Sequence, residues 1–227
     1  MTGPAMGATP GGGRGETETV SLREALGAAR APEFHLTVPS GWARIATDEA
    51  GQRLLERRMG ERMMQTGRPD LTAGLRSMLR ESLDAMREHG AVALFIPMDE
   101  HGLGQVGAPT SITAYARRST EDERLDDYVQ HVIRRFDAQP LHGDLRTLRF
   151  ETESAREIDD LEAIISTTHY ITPVPGTRRQ RAIELLATYG RPASMPREDE
   201  RVEGLHALFD ICASTVRWSA PREGGTP

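Results

Sequence analysis

The stretch whose reading decides the fold runs from Leu145 to Tyr189: LRTLRFETESAREIDDLEAIISTTHYITPVPGTRRQRAIELLATY. Residues 145–152, 161–171 and 179–189 each hold a short run of apolar, β-branched or aromatic side chains and read as strands. Asp159-Asp160 and Pro173-Val174-Pro175-Gly176 are the turn signals between them. Connections this short leave no room for a crossover helix, so the three strands are expected to be antiparallel neighbours.

On the N-terminal side, Phe34 to Val38 alternates apolar and polar and meets Pro39-Ser40-Gly41, a strand followed by a turn. Trp42 to Ala46 is expected to return as a short strand. Asp48 can cap a helix running to Gln65, with Leu55, Met59 and Met63 in register. A second helix is predicted from Asp70 to Arg87. Its apolar set is Leu71, Leu75, Met78, Leu79, Leu83 and Met86, at helical spacing. Gly90 closes it. Ala91 to Ile96 reads as a buried strand, 98–110 as a loop and Ser111 to Arg117 as a strand.

Thr120 with Glu123 forms a capping box. The helix after it carries Leu125, Tyr128, Val129, Val132, Ile133 and Phe136 on one face. His142-Gly143-Asp144, following Pro140, is a turn. A last helix over 199–217 aligns Val202, Leu205, Phe209, Cys212 and Val216.

Residues 1–18 are rich in Gly, Pro and Thr and nearly free of large apolar side chains, so they cannot offset their ordering entropy. With one short helix over Val20 to Ala29, the segment 1–31 is expected to be disordered or loosely ordered. Residues 32–219 then form a single domain and 220–227 a flexible tail. The predicted order is β-β-α-α-β-β-α-β-β-β-α. It specifies an α+β fold: a mainly antiparallel β-sheet covered by amphipathic helices.

Composition narrows the chemistry. The 227 residues include 28 arginines and no lysine, against 34 acidic residues, for a net charge of -6. Without lysine there is no Schiff-base catalysis and no P-loop lysine. A single cysteine excludes an internal disulfide framework and a zinc ribbon. No apolar run approaches the roughly 18 residues of a membrane span, and the first residues lack the basic and apolar regions of a signal peptide. With the lone Cys212, this predicts a cytoplasmic protein. The acidic balance argues against a nucleic-acid partner, which needs a basic face. No cofactor or metal is expected.

Gly102-Leu-Gly104-Gln-Val-Gly107 matches GxGxxG, but Pro109 follows at once and no helix opens there, so it reads as a hairpin loop. Asp127 and His131 stand four residues apart and can share a helix face, as two metal ligands or as a base and its orienter. A solvated ion pair is the ordinary alternative. His169 lies on a strand. Asp127, His131 and His169 are the candidate polar site. Arg178, Arg179 and Arg181 follow the Pro173–Gly176 turn, with Arg179 and Arg181 on one strand face. They are the candidate surface for a partner or an anion. No GxSxG elbow is present. Cys212, on an apolar stripe, reads as a small buried hydrophobe.

Three segments carry a family resemblance. Phe34-x-x-x-Val38-Pro39-x-Gly41-Trp42 resembles the opening strand and turn of PsbP-like domains, the Mog-type fold. Tyr170-x-x-Pro173-Val174-Pro175-Gly176, leading into Arg181-Ala-Ile-Glu-Leu-Leu-Ala-Thr188, resembles their late hairpin. Leu208-Phe209-Asp210 through Trp218 resembles their closing helix. LpqN-like actinobacterial proteins are similar. The resemblance implies an antiparallel sheet covered by helices, used for protein binding and without a shared catalytic site. The helical segment 48–88 is long for such a domain, and no lipid-accepting N-terminal cysteine is present. The expectation is a non-enzymatic module that binds another protein, one form of it being an accessory factor or chaperone of a secretion system. The alternative is a small-ligand-binding protein or enzyme with a pocket between sheet and helices.

Overall fold

The three strands read from 145–189 stand side by side in a seven-stranded sheet. The computed structural model describes residues 32–65, 67, 72–98, 110–121, 123–158 and 161–219, all within the unit Pro32–Pro227. In chain order the elements are β1 (Glu33–His35), β2 (Trp42–Ile45), α1 (Glu49–Gln65), α2 (Thr72–Glu88), β3 (Ala91–Pro97), β4 (Thr110–Arg118), α3 (Leu125–Phe136), β5 (Gln139–Leu141), β6 (Asp144–Ile158), β7 (Leu161–Pro173), β8 (Arg181–Pro192), α4 (Glu200–Ser214) and β9 (Arg217–Ser219). The large sheet runs β2-β3-β4-β8-β7-β6-β5, antiparallel throughout, and β1 pairs with β9 in a small second sheet. The fold is α+β, as the element order predicts.

Alternation along the strands divides the apolar side chains between the two faces. On one face Tyr170, Leu185, Ala187, Tyr189, Ile112 and Phe95 meet Val202, Leu205, Phe209 and Cys212 of α4. On the other, α1 and α2 set Leu55 and Leu83 on Ile45 and Leu94. Further along, α3 sets Leu125 and Val132 on Phe150, Ile171 and Ala182. Asp48 caps α1 as expected, its Oδ1 accepting from Gly51 N at 2.9 Å. Gly51 lies so close to the end of β2 that a Cβ there would stand 1.8 Å from the Ala46 carbonyl oxygen. Gly90 follows α2 with φ +84, the left-handed geometry that ends a helix without steric cost.

Several local readings need correction. Trp42–Ile45 does not return against β1; it pairs with β3. The partner of β1 is β9, at and just after the expected end of the last helix. The helix stops at Ser214 because Thr215 Oγ1 donates to Cys212 O at 2.6 Å and accepts Thr37 N–H at 2.9 Å, tying the chain to the β1 segment. Trp218 then meets Phe34 edge-on at 6.5 Å. Thr120 does not cap α3: its hydroxyl closes a local turn with Glu123, and Ser119 Oγ takes the Leu125 N–H at 3.0 Å. Strand β8 begins at Arg181, since Arg178 and Arg179 have φ of 50 and 61 and belong to the turn. Of the expected core, Met78 is 64% exposed and Ile133 43%. The 1–31 segment with its Val20–Ala29 helix, the GxGxxG stretch and residues 220–227 lie outside the described residues.

Candidate functional site

The sheet face that carries α3 has a charged centre. Glu184 interrupts the apolar run Ala182–Ala187 of β8 and is fully buried. Three donors converge on it from three elements. Arg117 Nε of β4 donates to Oε2 at 2.6 Å. Tyr128 OH of α3 donates to Oε1 at 3.0 Å, and His169 Nδ1 of β7 to the same oxygen at 2.9 Å. The far nitrogen of His169, Nε2, lies 3.1 Å from Thr152 Oγ1 on β6. An ionised carboxylate only accepts, so the bond places a proton on Nδ1, and Nε2 completes the bridge to the Thr152 hydroxyl. Phe150 stacks on His169 at 4.3 Å between centroids.

The electrostatics follow from these distances. Burial works to raise the pKa of Glu184, but the hydrogen bond from His169 and the Arg117 guanidinium outweigh it and hold the carboxyl below its ordinary value. Burial first, and then the Glu184 charge, push the Tyr128 phenol up, so it stays a donor. Arg117 also lies over the Tyr128 and Tyr115 rings at 5.7 and 5.6 Å. Beside Arg117 and Tyr128 a cleft of about 300 Å³ opens between the end of α2 and the start of α3. With its charge balanced and its oxygens occupied, Glu184 acts as a latch joining β4, β7, β8 and α3.

A second network covers the opposite face of β6. Asp210 of α4 accepts from Tyr170 OH at 2.5 Å and from Arg149 Nε at 2.8 Å. Arg149 also donates to Glu151 at 2.5 Å, and Arg197 pairs with the same carboxylate. Glu153 accepts from Ser166 Oγ at 2.8 Å and pairs with Arg191 at 3.2 Å. His206 stands between Tyr189 OH, at 3.0 Å, and Glu151, at 3.5 Å. Burial lowers its pKa, so the ring is held neutral. Cys212 is buried and free, its thiol pushed up to about 11 by that burial.

Among the candidates of the sequence, His169 joins the Glu184 network. Asp127 and His131 do not. Both are exposed on α3, and His131 reaches His169 only through the rings of Phe136 and Phe150. Arg178 and Arg179 line a hollow of about 360 Å³ together with Glu121, Arg124 and Asp126, so its charge is mixed. Arg181 stands opposite Arg118 on β4. No group of three or more metal-ligating side chains occurs among the described residues, and no described helix is long and apolar enough to cross a membrane. Sequence reading missed Glu184, Arg117, Tyr128 and Thr152 as one unit. The available signal was a single charge inside the run Ala-Ile-Glu-Leu-Leu-Ala, which only a buried, paired carboxylate tolerates.

The edge of the sheet is the other notable feature. Strand β5 is three residues long and covers β6 only as far as Arg149, paired with Gln139. From Phe150 to Ile158, β6 pairs with β7 on its inner side and with no strand on its outer side among the described residues. Glu153 to Glu157 are exposed. A row of backbone N–H and C=O groups therefore faces outward.

No model of a known protein family matches the chain, and no curated protein matches it. Among solved structures, the crystal structure of LpqN, involved in cell envelope biogenesis of Mycobacterium tuberculosis, is similar with a TM-score of 0.41 at 10% identity over 86% of each chain. A structure from Bacteroides thetaiotaomicron has a TM-score of 0.36 at 11% identity and covers 86% of this chain and 47% of its own. LpqN-like proteins are among those the sequence resembles; likeness at this level carries no argument about function.

Proposed function

We propose that the chain is a non-enzymatic module that binds another protein by taking up one of its segments as an added strand on β6. The supporting observation is the outer edge of residues 150–158, which pairs with no strand among the described residues, at the rim of a sheet whose other long strands are paired on both sides. The Glu184 network supports the same reading, because its carboxylate is already engaged by three donors of the chain itself. A lone buried thiol suits the reducing cytoplasm as its compartment.

Successive N–H groups of a strand point to alternate edges, so one of Ser154 and Ala155 directs its N–H outward. A proline there leaves the pairing with β7 intact, whereas at the other position it breaks a ladder bond. Ser154→Pro and Ala155→Pro are compared by thermal melting, and the variant that melts like the wild type is used in affinity purification from the native host. The expected result is a partner recovered with the wild type and lost with that variant. Recovery of the same partners by both would overturn the reading.

A further inference from the structure

The charges along the β6 edge specify what it accepts; this rests on the strand-addition reading above. Counting outward from Arg149, whose cross-strand neighbour Tyr170 lies in the α4-side core, the α4-side face of the edge carries Glu151, Glu153, Ala155 and Glu157. The other face carries Phe150, Thr152, Ser154 and Arg156. Glu151 and Glu153 are matched inside the chain by Arg149, Arg197 and Arg191. Glu157 is not. It stands directly opposite Glu162 of β7, both are exposed, and no ion pair reaches either among the described residues. In sequence the two are joined by Ile158-Asp159-Asp160-Leu161, which adds two carboxylates and no base. Like charges placed directly across a ladder repel, so this end of the edge is in deficit of a cation.

A second copy of the chain cannot supply it. Two β6 edges meeting about a two-fold axis run antiparallel, and opposed residues must share a face, so the axis passes through a residue pair. Centred on Thr152 the pairing opposes Glu151 to Glu153. Centred on Glu153 it opposes that residue to itself, on Ser154 Glu151 to Glu157, on Ala155 Glu153 to Glu157, and on Arg156 that arginine to itself. Every such register sets like charges face to face. The edge thus resists self-pairing while its backbone remains open to a strand of complementary charge.

We infer that the occupant is an extended segment of a different protein with Arg or Lys at alternate positions, its basic side chains on the Glu157 face and small polar residues on the Thr152–Ser154 face.

The test uses the full chain and three synthetic peptides as long as the 150–158 edge. One alternates Arg and Thr, one has the same composition with its arginines in a block, and one alternates Gln and Thr. Affinity is measured by titration and engagement by hydrogen exchange along β6. The expected result is protection of 150–158 by the alternating basic peptide, with both other peptides about tenfold weaker or more, and a similar loss when Glu157→Arg is tested against the alternating peptide. Glu157 is exposed, so that variant keeps the fold; matched melting curves check this. Equal binding and protection by the Gln-Thr peptide would overturn the basic-segment inference and leave strand addition standing. Binding of both basic peptides without protection of 150–158 would overturn both, as would protection by none. Concentration-dependent protection of 150–158 in the chain alone would overturn the inference in favour of a self-paired edge.

Discussion

Replacing Glu184 by glutamine tests whether the buried carboxylate is the latch its geometry describes. All three of its partners point donors at it: Arg117 Nε, Tyr128 OH and His169 Nδ1. A carboxylate has two acceptor oxygens and no hydrogen, so it takes all three. Glutamine offers one acceptor oxygen and turns an N–H₂ group toward the remaining donor. The bond to the charged guanidinium is worth about 1.5–3 kcal/mol, and a donor facing a donor adds to the loss. Breaking a buried ion pair typically costs about 3–5 kcal/mol. The lower end applies here, about 3 kcal/mol, because the Arg117 side chain is 36% exposed and can rehydrate. Urea unfolding of wild type and Glu184→Gln at neutral pH measures this. The pH dependence supplies an independent check. The folded-state pKa of Glu184 lies below its ordinary 4.5, so its stabilisation is fully present above that value and is lost as pH falls through the folded pKa. The gap between wild type and variant should narrow as the pH falls below about 4.5. A gap under about 1 kcal/mol at neutral pH, or one that keeps widening below about 4.5, would refute the latch.

Phe209→Ala removes a ring 1% exposed at the centre of the α4 contact and should cost about 3–5 kcal/mol in denaturant melts; under about 1 kcal/mol would mean that α4 does not pack there. Gly51→Ala ordinarily favours a helix by about 1 kcal/mol, but here the added Cβ meets the Ala46 carbonyl oxygen, and the melting temperature should fall. An unchanged or raised midpoint would show that the start of α1 is free to move. Cys212 should resist a thiol reagent in the native state and react at the rate of unfolding, given its burial and its raised pKa; rapid native labelling would contradict that burial.

The elements that could be read from sequence are those in which one local signal dominates. The α2 stripe ended by Gly90, and the β6, β7 and β8 runs with their turns, needed no distant partner to be recognised. Strands β5 and β9 are three residues long, below any periodic signal; β5 exists only as the short arm of a hairpin onto Leu148 and Arg149, and β9 because of Phe34 at the other end of the domain. Thr120 followed by Glu123 met the capping pattern, yet Ser119, one residue earlier, holds the first N–H of α3. The Glu184 cluster draws one side chain from each of β4, β6, β7 and β8 and one from α3, so only the register of the finished sheet assembles it. Asp127 and His131 were singled out by spacing along one helix, which says nothing about the strand it lies on. The outer edge of β6 was equally hidden, since a strand is an edge only by virtue of how far its neighbour extends.

A chain with arginine as its only strong base treats its carboxylates unequally. Guanidinium groups hold fixed directions, and a carboxylate within reach of one is engaged by a directed, charge-assisted bond. Arg117 does this for Glu184, Arg149 and Arg197 for Glu151, and Arg191 for Glu153. Along the open edge this makes the acidic row asymmetric. Reversing the charge at Glu153 strands Arg191, whose side chain is 8% exposed, so that variant loses stability whether or not it loses binding. Reversing Glu157 strands nothing and relieves its repulsion with Glu162, so any loss of peptide affinity there belongs to the partner's charge. Affinity for a basic strand should accordingly be concentrated toward the β6–β7 connection: an alternating peptide truncated at the end that reaches Glu157 should lose far more than one shortened by the same length beside Glu151. Equal losses from the two truncations would mean that the backbone alone holds the strand and that the charges only set its register.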